Sequence, residues 1–329
     1  MTYFPMFLLF DKTIKKIMNG IRDMLQGWVL SNLEDILKTI NEKTGTMATE
    51  LAKSPNVWNG DIWDLIVKVA QEVALPVAGT VFVFVITWEL ITMLTSPKMG
   101  DVDIVEVIMR WLLKTLVASF FISNSLNICS AFFGLSSSMI GNTKTILDTQ
   151  LQQTTNNAFD TVQDFFDDYF SSDDDVEGDE LGELLKLGIE TSILGLVMKV
   201  MGLLITLVMY TRMISIYLHL SVAPIPVAAI TNHTFQGMGI NYFKSVFALA
   251  MQGVLMMICV AIYGALVNSI FNDPSSTLNL ANLTLDAADH AAVLDALNKV
   301  VLETVAISVL LVYVMFSCER VTKTIFAVQ

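Results

Sequence analysis

Long apolar stretches separated by short polar breaks make up most of this chain. Runs long enough to cross a hydrocarbon core roughly 30 Å thick, which takes about 20 apolar residues, fall near Val69–Leu94, Ile104–Ile128, Leu187–Tyr210, Phe243–Ile270 and Val301–Ser317. A sixth, Met213–Ile230, is also long but is interrupted by Pro224 and Pro226. The pattern predicts an all-α fold: a polytopic membrane helical bundle of five to six hydrophobic segments, one of them proline-broken or re-entrant.

Ahead of the first segment the pattern changes. Ile14, Ile17, Ile21, Leu25, Trp28, Ile36 and Ile40 recur at helical spacing, while Lys12, Lys15, Lys16, Arg22 and Lys38 take other positions. That describes an N-terminal amphipathic helix, lying either in a membrane interface or against the rest of the bundle. The opening MTYFPMFLLF lacks the basic leader and cleavage site of a signal peptide. The chain then divides into an N-terminal amphipathic region (1–66), a first transmembrane pair (67–141), an acidic loop (142–186), a transmembrane core containing the sequence APIP (187–271), a second loop (272–300) and a last span with its tail (301–329).

Composition fixes the solvent. Hydrophobic residues make up 54% of the chain and charged ones 16%, with a mean hydropathy of +0.61, so lipid rather than water must cover most of it. The net charge of −13 is local in origin, because 12 of the 32 acidic residues lie between Asp148 and Glu183 with no Lys or Arg among them. Such a run reads as a solvated linker. Docking or cation binding is the alternative, although the run of aspartates at Asp173–Asp175 lacks calcium-loop spacing.

Basic residues near span ends orient a membrane protein, since they are held on the cytoplasmic side. Lys98, Arg110 and Lys114, then Arg212 and Lys244, then Arg320 and Lys323 all become cytoplasmic together if Met213–Ile230 dips in and returns. Both loops and the N-terminus then lie outside the cell, although the basic N-terminal helix argues for the cytoplasm. The expected location is the cytoplasmic membrane, with several passes.

Within the spans, Gly188, Gly195 and Gly202 repeat every seven residues, with Ser192 and Thr206 between and beyond them. Such a bare stripe suits close helix packing. Lys199 shares this face, which aims it at the protein interior, where it needs a carboxylate. Glu89 is the expected partner. Glu106, Arg110 and Lys114 stack at four-residue steps as an internally paired face. Pro224 and Pro226 remove two backbone donors within three residues and break helical hydrogen bonding there, giving either a packed kink or a gate. Arg212, His233 and Lys244 form the one cytoplasmic basic cluster worth testing for a nucleic acid strand.

No catalytic chemistry is predicted. A Gly-rich phosphate loop, HExxH and GxSxG are all lacking, so no enzyme activity and no cofactor is expected and energy must come from a partner. His219 and His233, fourteen apart with no Cys or carboxylate cluster, make a poor metal site. Cys129, Cys259 and Cys318 are scattered through the apolar segments, where buried reduced thiols are expected. The lack of an inverted repeat weakens a secondary-transporter reading.

Three stretches carry a resemblance: Ser54–Met93, Trp111–Ile128 and Ser221–Val267, the last containing APIP, then Gly239, Ile240, Asn241 and Tyr242, then Ala248, Gln252 and Gly253. They resemble the TrbL-type polytopic membrane proteins of conjugative type IV secretion, in the branch found in Gram-positive mobile elements. Where that family commonly has Glu-Trp-Gly after the proline element, this chain departs with His233–Gly237. The resemblance implies an inner-membrane part of a mating channel, structural or translocating. It also implies partners: a secretion ATPase, a small membrane subunit, a bitopic assembly subunit, a coupling protein, and single-stranded DNA carried with its relaxase. Other copies of the same chain and the lipid bilayer complete the set. Pro224, Pro226, Lys199, Glu89, Gln252 and Asn241 are the channel or core candidates. Two other classes stay open, a small-solute or ion channel and a pure assembly scaffold.

Overall fold

The computed structural model describes residues 4–95, 104–145, 178–272 and 290–328, and the regular elements among them are all helical. The all-α fold is therefore as the pattern predicts. Four helical stretches are long and apolar enough to cross a membrane: Gly60–Leu94, Leu184–Ser221, Gln236–Val267 and Val301–Ile325. Much of the acidic loop, residues 146–177, lies outside the described residues, as do Asp286 and Asp289 of the second loop.

Two of the six expected segments behave differently. Helix α5 (Ile104–Ser123) is regular, but Glu106, Arg110 and Lys114 put three charges on twenty residues, and it is not one of the four. Met213–Ile230 is not a segment at all. Its first half belongs to α7 (Gly178–Ser221), a single helix of 44 residues, about 66 Å long at 1.5 Å per residue. The polar break expected at Thr211 and Arg212 does not interrupt it. The Thr211 hydroxyl donates back to the Leu207 carbonyl at 2.9 Å, and Arg212 is buried by protein. Beyond α7 the chain forms a short helix, α8 (Pro224–Ala228), and one 3-10 turn, Ala229–Thr231.

The chain forms two compact units. The first comprises Met1–Met47, Thr145–Thr206 and Cys259–Val314. Here α1 (Phe4–Leu51) packs on the glycine stripe of α7. A Cβ added at Gly188 would lie 2.6 Å from the Trp28 ring, one at Gly202 3.1 Å from Lys43, and one at Gly195 3.8 Å from Ile36. Asn32 anchors this crossing by donating to the Gly188 carbonyl and to the hydroxyls of Thr191 and Ser192, at 3.3, 3.2 and 2.8 Å. Leu25, Val29, Leu33 and Ile36 are buried, whereas Ile14, Ile17 and Ile21 stay exposed, so only the later part of the expected apolar stripe is used within the chain.

The second unit comprises Ala48–Lys144, Leu207–Ile258 and Met315–Gln329. It contains α2 (Pro55–Trp58), α3 (Gly60–Lys68), α4 (Leu75–Leu94), α5, α6 (125–145) and α8, with parts of α7, α9 (Gln236–Asn272) and α10 (His290–Ile325). A π-helical stretch, Val69–Ala74, joins α3 to α4, and the Leu75 amide reaches back to the Ala70 carbonyl. That extra residue per turn falls just before Pro76, whose ring would otherwise collide with the turn before it. Cys129 and Phe133 of α6, Met213, Ile216 and Leu220 of α7, and Val246 and Ala250 of α9 form one buried cluster; Ala78 of α4, Ile122 of α5 and Val227 and Ala228 of α8 form another.

Candidate functional site: the proline-broken hub

The sequence VAPIPVA cannot continue α7, because neither Pro224 nor Pro226 has an amide proton to give. The chain turns instead, with the Ala223 and Ile225 amides bonding the Leu220 and Val222 carbonyls at 3.3 and 3.1 Å. Pro224 then takes the first position of α8, in the first turn, where a missing donor breaks no helical hydrogen bond. The break is packed: Val227 and Ala228 are buried against α4 and α5. The start of α9 closes over it through Gly239, where a Cβ would sit 2.6 Å from the Pro226 carbonyl oxygen and would also strike Ile230.

Three polar side chains pin this segment. Glu89 of α4 is only 4% exposed. Its Oε1 accepts from the Lys114 ammonium of α5 at 2.5 Å, and its Oε2 accepts from the Asn232 amide at 2.6 Å. Burying a carboxylate costs several kcal/mol, and the cost is offset only when both oxygens are hydrogen-bonded and a cation is near. Both conditions are met. Asn232 in turn accepts from the Thr234 amide at 2.7 Å through its side chain, and from the Gln236 amide at 2.8 Å through its carbonyl, so it also opens α9. Trp111 donates to the Ile86 carbonyl at 3.1 Å, adding a second tie between α4 and α5, and Phe235 packs 6.5 Å from Phe84.

Glu89 is thus taken by Lys114 and Asn232, and the pairing expected with Lys199 does not form. Lys199 lies 3.4 Å from Asp35, with the two side chains 64% and 57% exposed. Its position between Gly195 and Gly202 does aim it along the α1 face, but at the rim of the crossing, where a long side chain reaches out. The stack at Glu106, Arg110 and Lys114 divides: Arg110 pairs with Glu106 within α5, and Lys114 leaves for Glu89.

The expected basic cluster is not assembled. His233 and Lys244 are exposed, but Arg212 is 4% exposed and sits on Gly253, with its Nη2 2.5 Å and Cζ 2.7 Å from where a Cβ there would be. Gly253 lies about two and a half turns along α9 from Lys244. Among the described residues Arg212 meets no carboxylate; it has the Met213 sulfur at 3.9 Å, and its Nε is buried without a hydrogen-bond partner. Gly253 of the sequence AMQG is therefore the space that a buried guanidinium occupies.

Gln252, its neighbour, is 6% exposed and lines a cavity of about 50 Å³ with Ser215, His219, Ser245, Glu319 and Lys323. One or two water molecules fit, at about 30 Å³ each. His219 is held there by its Nδ1 against the Ser215 carbonyl at 2.8 Å and by stacking on Tyr242. A carbonyl only accepts, so Nδ1 carries the proton. Tyr242 donates to the His219 carbonyl at 2.7 Å and lies 4.0 Å from the Cys129 sulfur, tying α6, α7 and α9 at one point. Asn241 beside it is half-buried.

Sequence reasoning missed Asn232, Tyr242, Gly239 and Lys114's true role. Gly239, Tyr242 and Gly253 all lie in motifs that stand out as patterns, and their spacing from the prolines was the available signal. For Asn232 no signal existed beyond a turn-forming residue after a broken helix.

Residues 40–224, more than half of the chain, match the protein family described as TrbL/VirB6 plasmid conjugal transfer like protein. The match includes Ser54–Met93 and Trp111–Ile128 and ends at Pro224, so most of Ser221–Val267, the stretch on which the sequence resemblance leaned hardest, lies beyond it. No curated protein matches the chain.

Proposed function

The chain belongs to the TrbL/VirB6 plasmid conjugal transfer-like family and is a membrane protein of that class of secretion machinery, and from that premise we propose that it is a non-enzymatic inner-membrane subunit of a conjugative DNA-transfer channel. The observation that supports this reading is the hub. A helix break inside an apolar bundle is fixed by Glu89, Lys114 and Asn232, which gives a packed, shaped element of the kind that irregular backbone at membrane depth requires. In this reading the chain builds the wall and the motive force comes from a secretion ATPase, with a small membrane subunit, a bitopic assembly subunit and a coupling protein as neighbours.

Size limits how the wall works. The small cavity at Gln252 has room for water only, so it is no conduit for a nucleic acid strand. Single-stranded DNA would pass beside the chain or between copies of it, with Lys244 and His233 as the exposed basic groups to test and Arg212 left inside. The same cavity is the one observation favouring a second reading, a pathway for small ions, which requires conductance by the purified protein alone.

The test is transfer frequency from donors deleted for this gene. Wild type should restore transfer, and a Pro224→Ala, Pro226→Ala double variant at equal expression should fail to. Transfer unchanged by the deletion would overturn the channel reading, and conductance in planar bilayers would then favour the ion pathway.

A further inference from the structure

The polar groups that line the cavity at Gln252 have mostly spent their protons elsewhere. The cavity lies within the second unit, between Ser215 and His219 of α7, Ser245 and Gln252 of α9, and Glu319, Thr322 and Lys323 of α10. The Ser215 hydroxyl gives its proton to the Thr211 carbonyl at 2.9 Å, and the Thr322 hydroxyl gives its own to the Cys318 carbonyl. His219 commits its Nδ1 proton to the Ser215 carbonyl at 2.8 Å, which leaves Nε2 an acceptor. On Glu319, Oε1 takes the Lys323 ammonium at 2.7 Å, and Oε2 has no hydrogen bond among the described residues.

Gln252 is the group that calls for a ligand. It is 6% exposed and lines the cavity, yet among the described residues its side chain makes no hydrogen bond. A buried amide without a partner is costly. The lone pairs around it decide what can serve as that partner. An anion would face the Glu319 carboxylate, and a single water molecule brings two protons to more acceptors than it can satisfy. A hard cation draws several oxygens to itself at once.

We propose that this cavity binds one monovalent cation of sodium size, with Gln252 Oε1, the Ser215 and Thr322 hydroxyl oxygens and Oε2 of Glu319 as its ligands. Room of about 50 Å³ admits such an ion with a water molecule beside it. Valence follows from charge, because Glu319 is the one carboxylate among the lining residues, whereas calcium sites gather several. Lys323 is the rival cation at the mouth. It and Glu319 are 50% and 57% exposed, so its ammonium can withdraw into solvent when the ion enters. The bound ion joins α7, α9 and α10 and stabilises the folded state by mass action. Equilibrium binding of this kind is independent of the DNA-channel reading and needs no conduction through the chain.

The full chain, purified in mild detergent, is melted in sodium, potassium or choline chloride at one ionic strength. Wild type should gain about 2–5 °C in Tm along a saturating sodium curve, less in potassium and nothing in choline. Gln252→Leu and Glu319→Gln should both abolish the gain, and Val83→Ala, on an exposed face of α4, should keep it. Lys323→Gln removes the rival ammonium and should move the sodium midpoint to a several-fold lower concentration, an outcome that loss of a surface pair does not produce; it also reads the site if Gln252→Leu does not fold. The proposal is overturned by equal gains in choline, by a sodium response that survives Gln252→Leu, or by a midpoint that Lys323→Gln leaves in place. Absence of any sodium response in wild type overturns it too, and means that water alone fills the cavity. None of these outcomes touches transfer frequency, so failure here leaves the channel reading standing.

Discussion

The α1–α7 crossing of the first unit and the proline hub of the second solve the same problem, joining helices where the apolar effect between them is weak, by opposite means. At the crossing the solution is small size. Gly188, Gly195 and Gly202 admit the side chains of Trp28, Ile36 and Lys43, and one amide, Asn32, crosses the seam. At the hub the solution is polarity: a buried carboxylate collects a cation and an amide from two other elements. Packing by small residues spreads its energy over many weak contacts, whereas the hub concentrates it in one cluster whose members cannot be removed singly.

Single substitutions should therefore weigh differently in the two regions. Glu89→Leu leaves Lys114 and Asn232 without their acceptor and should lower stability by about 3 kcal/mol, the usual scale for breaking a buried pair. Adding Lys114→Leu should recover part of that loss, and the comparison is made by denaturant unfolding in detergent. A double variant no better than Glu89→Leu would mean that Asn232 alone depends on the carboxylate.

Gly253→Ala comes next. The new methyl displaces the Arg212 guanidinium, at an expected cost of about 2 kcal/mol by overpacking, and Arg212→Met in the same chain should relieve it. Additive effects in that double-mutant cycle would show that the two positions do not share the space.

Within the crossing the glycines should separate from one another. Gly188→Ala meets the Trp28 ring and should destabilise by about 1 kcal/mol or more, while Gly195→Ala has ordinary contact distance and should gain up to about 1 kcal/mol of helix propensity. Equal effects at both would mean that α1 does not seat on α7 in this register. Lys199→Met should change least, within about 0.5 kcal/mol, because its partner Asp35 is as exposed as it is; thermal melting of the purified protein checks it, and a large drop would restore the interior placement that its position in the stripe suggested.

The sequence was readable wherever one helix's own periodicity carried the information. Four of the six expected apolar segments are long apolar helices in the structure, the seven-residue glycine repeat gave the face that another helix covers, and the paired prolines gave the break. Readings failed where a polar residue had to be assigned a partner. Lys199 and Glu89 were matched because each lacked a counter-charge, yet side chains choose among neighbours that only the folded chain supplies. Arg212 was read as a surface cation and a polar break, although a glycine on another helix gives it a buried seat.

What the amino-acid sequence by itself determined is the membrane class, the all-α architecture and the positions where helices must stop or can touch, because hydropathy, proline stereochemistry and the size of glycine are local properties. Only the tertiary structure decided that α7 continues through Arg212, that Asn232 closes the hub and that Tyr217 ties α7 back to Pro55. Those outcomes depend on distances between residues as much as 162 apart in the chain, as Pro55 and Tyr217 are, and no pattern along a single helix encodes them.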